Sequence, residues 1–308
     1  MDLAVALGPL RLKNPITVAS GTFGYGHEVS DFGDVSRLGA VVGKSVTLEP
    51  RPGNPPPRIV ETASGMLNSI GLANPGIDVF FGEDLPRMRA LGTAVIVNVA
   101  GRAVEEYARL CHRLDSADGV DAIELNMSCP NVRHGGLAFS TDPDAAADLV
   151  TAARAATGRP LIAKLSPNVT DILPIARAVE SAGADIVSLT NTLVGLAIDW
   201  RTRRSKLAGF TGGLSGPAIK PVSLRAVWQV SSGCGLPVMG IGGIVTADDV
   251  MDYLVAGAAA VQVGTANFLD PAGAVRLVDA LPRLLADAGA DTPADLIGAL
   301  DAEDRAPV

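Results

Sequence analysis

The chain has 308 residues, 48% of them hydrophobic and 19% charged, with a formal net charge of −8. That is enough apolar content to bury a full core, and a single domain spanning 1–308 is expected. The acidic balance and an aromatic content of 4% leave no phosphate-tracking surface and few stacking platforms, which argues against a nucleic-acid-binding protein.

Eight short runs rich in valine, isoleucine and alanine follow one another along the chain. They are Ile16–Ser20, Ala40–Val46, Ala94–Ala100, Ala122–Ser128, Leu161–Ser166, Ile186–Asn191, Val238–Ile244 and Ala259–Ala266, each reading as a strand buried on both faces. Between most of them lie helix-like stretches such as Asp142–Thr157 and Asp171–Ala182. Several strands are approached through a glycine that suits a helix C-cap, as at Gly183-Ala184 and Gly257-Ala258. Eight strands with helical crossovers in about 250 residues predict an α/β fold of the closed parallel (β/α)₈ type, the TIM barrel. The opening stretch Leu3–Ile16, with Gly8-Pro9 at its centre, is predicted to be a hairpin that plugs the N-terminal end of the barrel.

Two gaps, Thr47–Thr93 and Thr192–Pro237, are too long for a simple crossover. Both follow strand C-termini, where this architecture builds its catalytic face, so insertions after strands 2 and 6 are predicted to wall and roof a ligand pocket. The strand ends carry polar groups: Lys44, Asn98, Asn126, Lys164 and Asn191. A charged or amide group in so apolar a setting must find a partner, and five converging on one face predict a polar, anionic ligand. Gly240-Ile241-Gly242-Gly243-Ile244 ends the seventh strand and Gly264-Thr265-Ala266 the eighth, where barrels of this type bind phosphate through backbone amides. No Gly-x-Gly-x-x-Gly dinucleotide fingerprint accompanies them, so the phosphate expected is that of a mononucleotide such as FMN. No metal site is predicted.

Asn126-Met127-Ser128-Cys129-Pro130-Asn131-Val132 places a cysteine between asparagines just past the fourth strand. Pro130 cannot continue a strand and His134-Gly135-Gly136 gives loop freedom, so Cys129 is read as an acid or base on a loop, whereas Cys111 and Cys234 are read as small core fillers. Three cysteines in all fit a reducing compartment and fall short of the four thiolates an iron–sulfur cluster normally takes, so any such centre must sit on another chain. No run approaches the roughly 20 apolar residues of a membrane span and Met1–Leu10 lacks a signal pattern, so a cytoplasmic location is expected. The basic group Arg201, Arg203, Arg204 and Lys206 reads as a solvated loop face or a protein contact.

Taken together, Gly21-Thr22-Phe23-Gly24, Gly43-Lys44-Ser45-Val46-Thr47, Asn68-Ser69-Ile70-Gly71-Leu72, the Cys129 segment, Lys164-Leu165-Ser166-Pro167, Thr190-Asn191-Thr192, Gly240-Ile241-Gly242-Gly243 and Gly264-Thr265 resemble class 1 dihydroorotate dehydrogenase over nearly the whole chain. Arg51-Pro52-Gly53-Asn54-Pro55-Pro56-Pro57-Arg58 and Ser69-Ile70-Gly71-Leu72 resemble the class 1B, NAD-dependent catalytic subunit more than the fumarate-dependent class 1A enzyme. Ser140 stands where the resemblance leads one to expect glycine.

The resemblance implies oxidation of dihydroorotate to orotate, with hydride passing to FMN and Cys129 taking the proton. It implies substrate contacts from Lys44, Asn68, Ser69, Ile70, Gly71, Leu72, Asn126, Asn131, Asn191 and Thr192. The FMN site it implies comprises Ser20, Lys44, Ser45, Asn98, Asn126, Lys164, Leu189, Gly216, Gly242, Gly243, Gly264 and Thr265, with Lys164 given to the flavin and not to a structural ion pair. It also implies a homodimer core and a partner subunit that carries FAD and a [2Fe-2S] cluster and passes electrons to NAD, in a heterotetramer of two subunits each. A dihydropyrimidine or dihydrouridine reductase would share the cysteine loop and the glycines, but Asn131-Val132 speaks against the former and the acidic surface against the latter. A non-enzymatic phosphate-binding barrel would have no use for Cys129.

Overall fold

The structure is a computed structural model that describes residues 1–128 and 139–301. Strands β1 (Val5–Leu7) and β2 (Leu10–Leu12) form an antiparallel hairpin turned at Gly8. Then follow β3 (Ile16–Val18), β4 (Ala40–Val42), β5 (Ile59–Thr62), β6 (Gly65–Asn68), α1 (Ile77–Val79), α2 (Leu85–Arg89), β7 (Ala94–Val99), α3 (Val104–Asp115) and β8 (Ala122–Asn126). The second half continues with α4 (Pro143–Ala156), β9 (Leu161–Lys164), α5 (Leu173–Ser181), β10 (Ile186–Leu189), β11 (Leu193–Gly195), β12 (Ile198–Asp199), β13 (Arg204–Ser205) and β14 (Gly212–Ser215). It ends with α6 (Lys220–Gly233), β15 (Val238–Ile241), α7 (Ala247–Val255), β16 (Ala258–Val263) and α8 (Gly273–Asp287).

Strands β3, β4, β7, β8, β9, β10, β15 and β16 pair in parallel and close into a barrel in that order. The predicted TIM barrel is therefore present, and its eight strands coincide with the eight apolar runs. Most of them end two or three residues earlier than the runs. Of the polar residues at the strand ends, Asn98, Asn126 and Lys164 stay in the ladder, while Lys44 and Asn191 lie just past it; β4 stops at Val42, and only an isolated bridge from Val46 to Val99 continues the pairing. The first crossover departs from the pattern, since 3₁₀ turns at His27–Val29 and Val35–Arg37 stand where a longer helix would be expected. Elsewhere the helix ends follow their sequence signals. The Asp142 side chain accepts from Ala145 N at 2.8 Å before α4, and Thr246 with Asp249 makes a reciprocal capping box before α7.

Apolar residues are distributed in two layers. One packs the outer face of the barrel against its helices, as with Tyr107, Leu110 and Leu149. The other fills the barrel's N-terminal end, where Val5, Leu7, Leu10 and Leu12 of the hairpin meet Ala40, Val42, Ile96, Ala122, Ile162, Ile186 and Met239. Burying each such hairpin side chain contributes roughly 1.5–3 kcal/mol over leaving it exposed, which fixes the hairpin as the barrel's lower plug.

The two long insertions meet. Strands β5 and β6 come from the first, β11 and β14 from the second, and they pair antiparallel in the order β11-β14-β6-β5. Gly213 and Asn68 are register partners, and Asn68 Nδ2 donates to Gly213 O at 3.3 Å. Among the described residues no helix is long and apolar enough to cross a membrane.

Candidate active site

A cavity of about 890 Å³ opens between the barrel's C-terminal rim and the insertion sheet. Its floor is set by strand register. Asn98 on β7 is the register partner of Glu124 on β8, Asn126 that of Lys164 on β9, and Lys164 that of Ser188 on β10. These side chains therefore point inward at closely spaced levels. Of the residues proposed from sequence, Ser20, Lys44, Ser45, Asn68, Ser69, Ile70, Gly71, Leu72, Asn98, Asn126, Lys164, Asn191, Thr192, Gly216, Gly242, Gly243, Gly264 and Thr265 all line this one cavity. Leu189 lies fully buried in the barrel wall, and its neighbour Thr190 faces the cavity. Cys129 and Asn131 lie outside the described residues.

The charge of the lining is one-sided. Lys44, Arg51, Arg102 and Lys164 contribute four cations, and no aspartate or glutamate among the described residues lines the cavity. In a chain of net charge −8 that concentration of positive charge is a site for anions. Lys44 is half-buried, and burial holds its ammonium below the usual lysine range. Its Nζ has no hydrogen-bond partner among the described residues, so it is available to a ligand.

Lys164 requires a correction. Its Nζ lies 3.4 Å from Glu124 Oε2 and 3.5 Å from Gln262 Oε1, so it is ion-paired below while also lining the cavity. A single acid inside the apolar run Ala122-Ile123-Glu124-Leu125 was the signal that could have exposed this pair. Asn98, 1% exposed, donates from Nδ2 to Glu124 Oε2 at 2.6 Å and leaves its buried Oδ1 without a partner among the described residues. A buried acceptor without a donor is costly unless a ligand supplies one.

At the opposite wall three loop ends converge. Gly216 precedes the 3₁₀ turn Pro217–Ile219 that leads into α6, Gly242 and Gly243 follow β15, and Gly264 and Thr265 follow β16. Thr265 Oγ1 donates to Ser215 Oγ at 2.8 Å and ties two of these loops together. Gly242 and Gly243 have φ of 131° and 69°. A Cβ at Gly242 would fall on the Ser223 hydroxyl, and one at Gly243 would meet Gly216 O at 3.0 Å. Only glycine lets the three backbones approach closely enough to present their amides to one phosphate.

The roof brings amide and hydroxyl groups over the floor. Asn54 Nδ2 donates to both Ser69 O and Ser69 Oγ at 3.0 Å, which steadies the Ser69–Leu72 turn, where Gly71 and Leu72 have φ of 74° and 57°. Asn191 Nδ2 donates to Ser128 Oγ at 2.7 Å and to Asn126 Oδ1 at 3.3 Å. Arg51 and Arg102 both line the cavity; in the sequence Arg51 stands only within a proline-rich loop and Arg102 in no motif. The other cysteines separate. Cys111 is fully buried and its thiol is pushed up to about 12 by that burial, whereas Cys234 is only half-buried, with Sγ 3.3 Å from Glu180 Oε2, and is no simple core filler. Arg201, Arg203, Arg204 and Lys206 are exposed, and Arg201 stacks 4.4 Å from the centre of the Trp200 ring.

Fold and site define a class: a (β/α)₈-barrel protein with an anion-receiving pocket and a glycine cradle at the C-terminal face of its strands. Residues 2–285 match the family described as dihydroorotate dehydrogenase. The chain belongs to that family. It is 54% identical over 299 residues to the dihydroorotate dehydrogenase B (NAD(+)) catalytic subunit of Geotalea daltonii, covering 97% of this chain and 98% of the relative. Proteins of the same description from Geobacter sulfurreducens, 54% identical over 300 residues, and from Geotalea uraniireducens, 52% identical over 299, are covered to the same extent.

Proposed function

We propose that this chain is the catalytic subunit of an NAD-linked dihydroorotate dehydrogenase, which oxidises (S)-dihydroorotate to orotate in the de novo synthesis of UMP, in the cytoplasm. The observation that carries the reading is the cavity lined, among the described residues, by four cations and no acid, shared by a glycine cradle and an amide-rich roof. Dihydroorotate is a small anion whose ring presents both donors and acceptors, and asparagine side chains answer both.

The residues present suit FMN. The cradle of Gly216, Gly242, Gly243, Gly264 and Thr265 would take its phosphate, the unpartnered Asn98 Oδ1 would accept from the ring, and Lys164 would set positive charge beneath it. Bound there, FMN would supply the acceptor for the hydride leaving C6 of the substrate. Everything else falls to the chain. Lys44 and the Asn68–Leu72 turn hold the carboxylate, Asn126, Asn131, Asn191 and Thr192 hold the ring amides, and Cys129 takes the proton from C5.

Relatives described as a catalytic subunit imply a further chain, and we assign to it FAD and a [2Fe-2S] cluster, around a dimer of this chain in a heterotetramer. Purified alone, the chain should oxidise dihydroorotate with artificial dyes and gain NAD reduction only when the partner is added. Rapid NAD reduction by the isolated chain would sink the partner assignment, and efficient turnover with fumarate would move the protein to class 1A.

A further inference from the structure

Beneath the cavity floor lies a buried carboxylate that neither the reaction nor the cofactor site uses directly. Glu124 is fully buried and lies outside the cavity lining. Its Oε2 accepts from Asn98 Nδ2 at 2.6 Å and from Lys164 Nζ at 3.4 Å. Its Oε1 accepts from Ser188 Oγ at 2.9 Å and from Gln262 Nε2 at 2.7 Å. Four donors from four strands converge on one carboxylate, and every one of these contacts uses it as an acceptor, as an ionised carboxylate requires.

We propose that Glu124 is a positioning residue that sets the reduction potential of the flavin; the proposal rests on the FMN reading of the site. Two consequences of the geometry carry it. By engaging Asn98 Nδ2, Glu124 fixes the orientation of that amide and turns Oδ1, which has no partner among the described residues, into an acceptor reserved for the ligand. By pairing with Lys164, it anchors the ammonium at the floor and offsets part of its charge. In a low-dielectric interior an uncompensated ammonium favours the more anionic, reduced ring. Glu124 therefore holds the potential lower than Lys164 alone would.

The test is Glu124→Gln in the FMN-loaded protein. The cluster can accommodate the amide, because the Gln262 amide can flip and the Ser188 hydroxyl can rotate while the new carbonyl still faces Lys164. The potential should move positive, with reduced FMN gaining at least tenfold in affinity relative to oxidised FMN, about 30 mV for a two-electron couple. Glu124→Asp keeps the charge but withdraws it by one methylene, and should move the potential in the same direction by less; this variant decides the matter if the glutamine form does not fold. Full FMN occupancy with an unchanged potential in the glutamine variant, or a larger or opposite shift in the aspartate variant, overturns the proposal. A wild-type protein that neither retains FMN nor oxidises dihydroorotate would overturn the functional reading and this inference with it. A normal wild type beside an unshifted variant overturns this inference alone.

Discussion

Asn191, just past the end of β10, donates to Ser128 Oγ at 2.7 Å, just past the end of β8. The bond spans β9 and fastens the last described residue before Cys129 to the barrel rim. Asn191 also accepts from Thr192 N at 2.8 Å, so a single amide organises both the β8 and the β10 loop ends.

Asn191→Ala should therefore impair substrate binding and release Ser128 from the barrel rim together. Losing its buried hydrogen bonds, at about 1–3 kcal/mol, corresponds to roughly a 5- to 150-fold fall in kcat/KM. FMN content, measured by absorbance, should stay at the wild-type level, because the hydrogen bonds of the Asn191 side chain among the described residues run to Asn126, Ser128 and Thr192 and none to the glycine cradle. Unchanged kinetics would show that the β8 loop holds its place without this amide.

Cys129→Ala removes the proposed proton acceptor. The variant should remain folded and yellow while dihydroorotate oxidation drops by about 10² to 10⁴. Near wild-type turnover at neutral pH would exclude Cys129 as the base, and loss of FMN or of folding would return it to the core.

Lys44 yields a pH prediction for the protein free of ligands. Burial lowers its folded-state pKa below the unfolded 10.5, so between the two values the unfolded chain binds more protons and stability rises with pH. Below that window the charged side chain is a net cost to the apoprotein. Lys44→Met should raise the melting temperature of the apoprotein at neutral pH, and the gap should close as the pH approaches 10.5. The same substitution should abolish dihydroorotate oxidation. A gap that widened with pH would contradict the burial argument.

Gly65 tests the roof apart from the barrel. Its φ is 151°, and a Cβ there would fall on the carbonyl oxygen of Ser215 in the neighbouring strand. Gly65→Val should part β6 from β14 and raise KM for dihydroorotate by tenfold or more, on the order of 1.4 kcal/mol. Far-ultraviolet circular dichroism should keep the barrel's signature. An unaltered KM would mean that the roof contributes nothing to substrate binding.

The barrel was legible because each strand is buried on both faces and writes itself as an apolar run; the floor was legible because Lys44, Asn98, Asn126 and Lys164 interrupt or end such runs. Glu124 escaped notice because one acid inside Ala122-Ile123-Glu124-Leu125 changes the run's character very little, and its partners Ser188 and Gln262 are remote in sequence. The insertion sheet escaped for a different reason. Gly212-Gly213-Leu214-Ser215 has little strand propensity of its own, and becomes a strand by pairing with β6, far away along the chain. Arg51 is held by its bridge to Asn74 within the first insertion, and Arg102 follows β7 at the barrel rim.

The sheet that joins the two insertions has a consequence for biosynthesis. The hydrogen bond from Asn68 to Gly213 spans 145 positions, and at 5–20 residues per second a ribosome needs roughly 7 to 30 s to travel between them. Throughout that interval β6 waits without its inner neighbour, while the strands that carry Asn98, Asn126 and Lys164 are themselves being made. Acquisition of the flavin is thereby deferred to the late stages of translation, and a nascent chain that stalls before Gly212 cannot be rescued by cofactor.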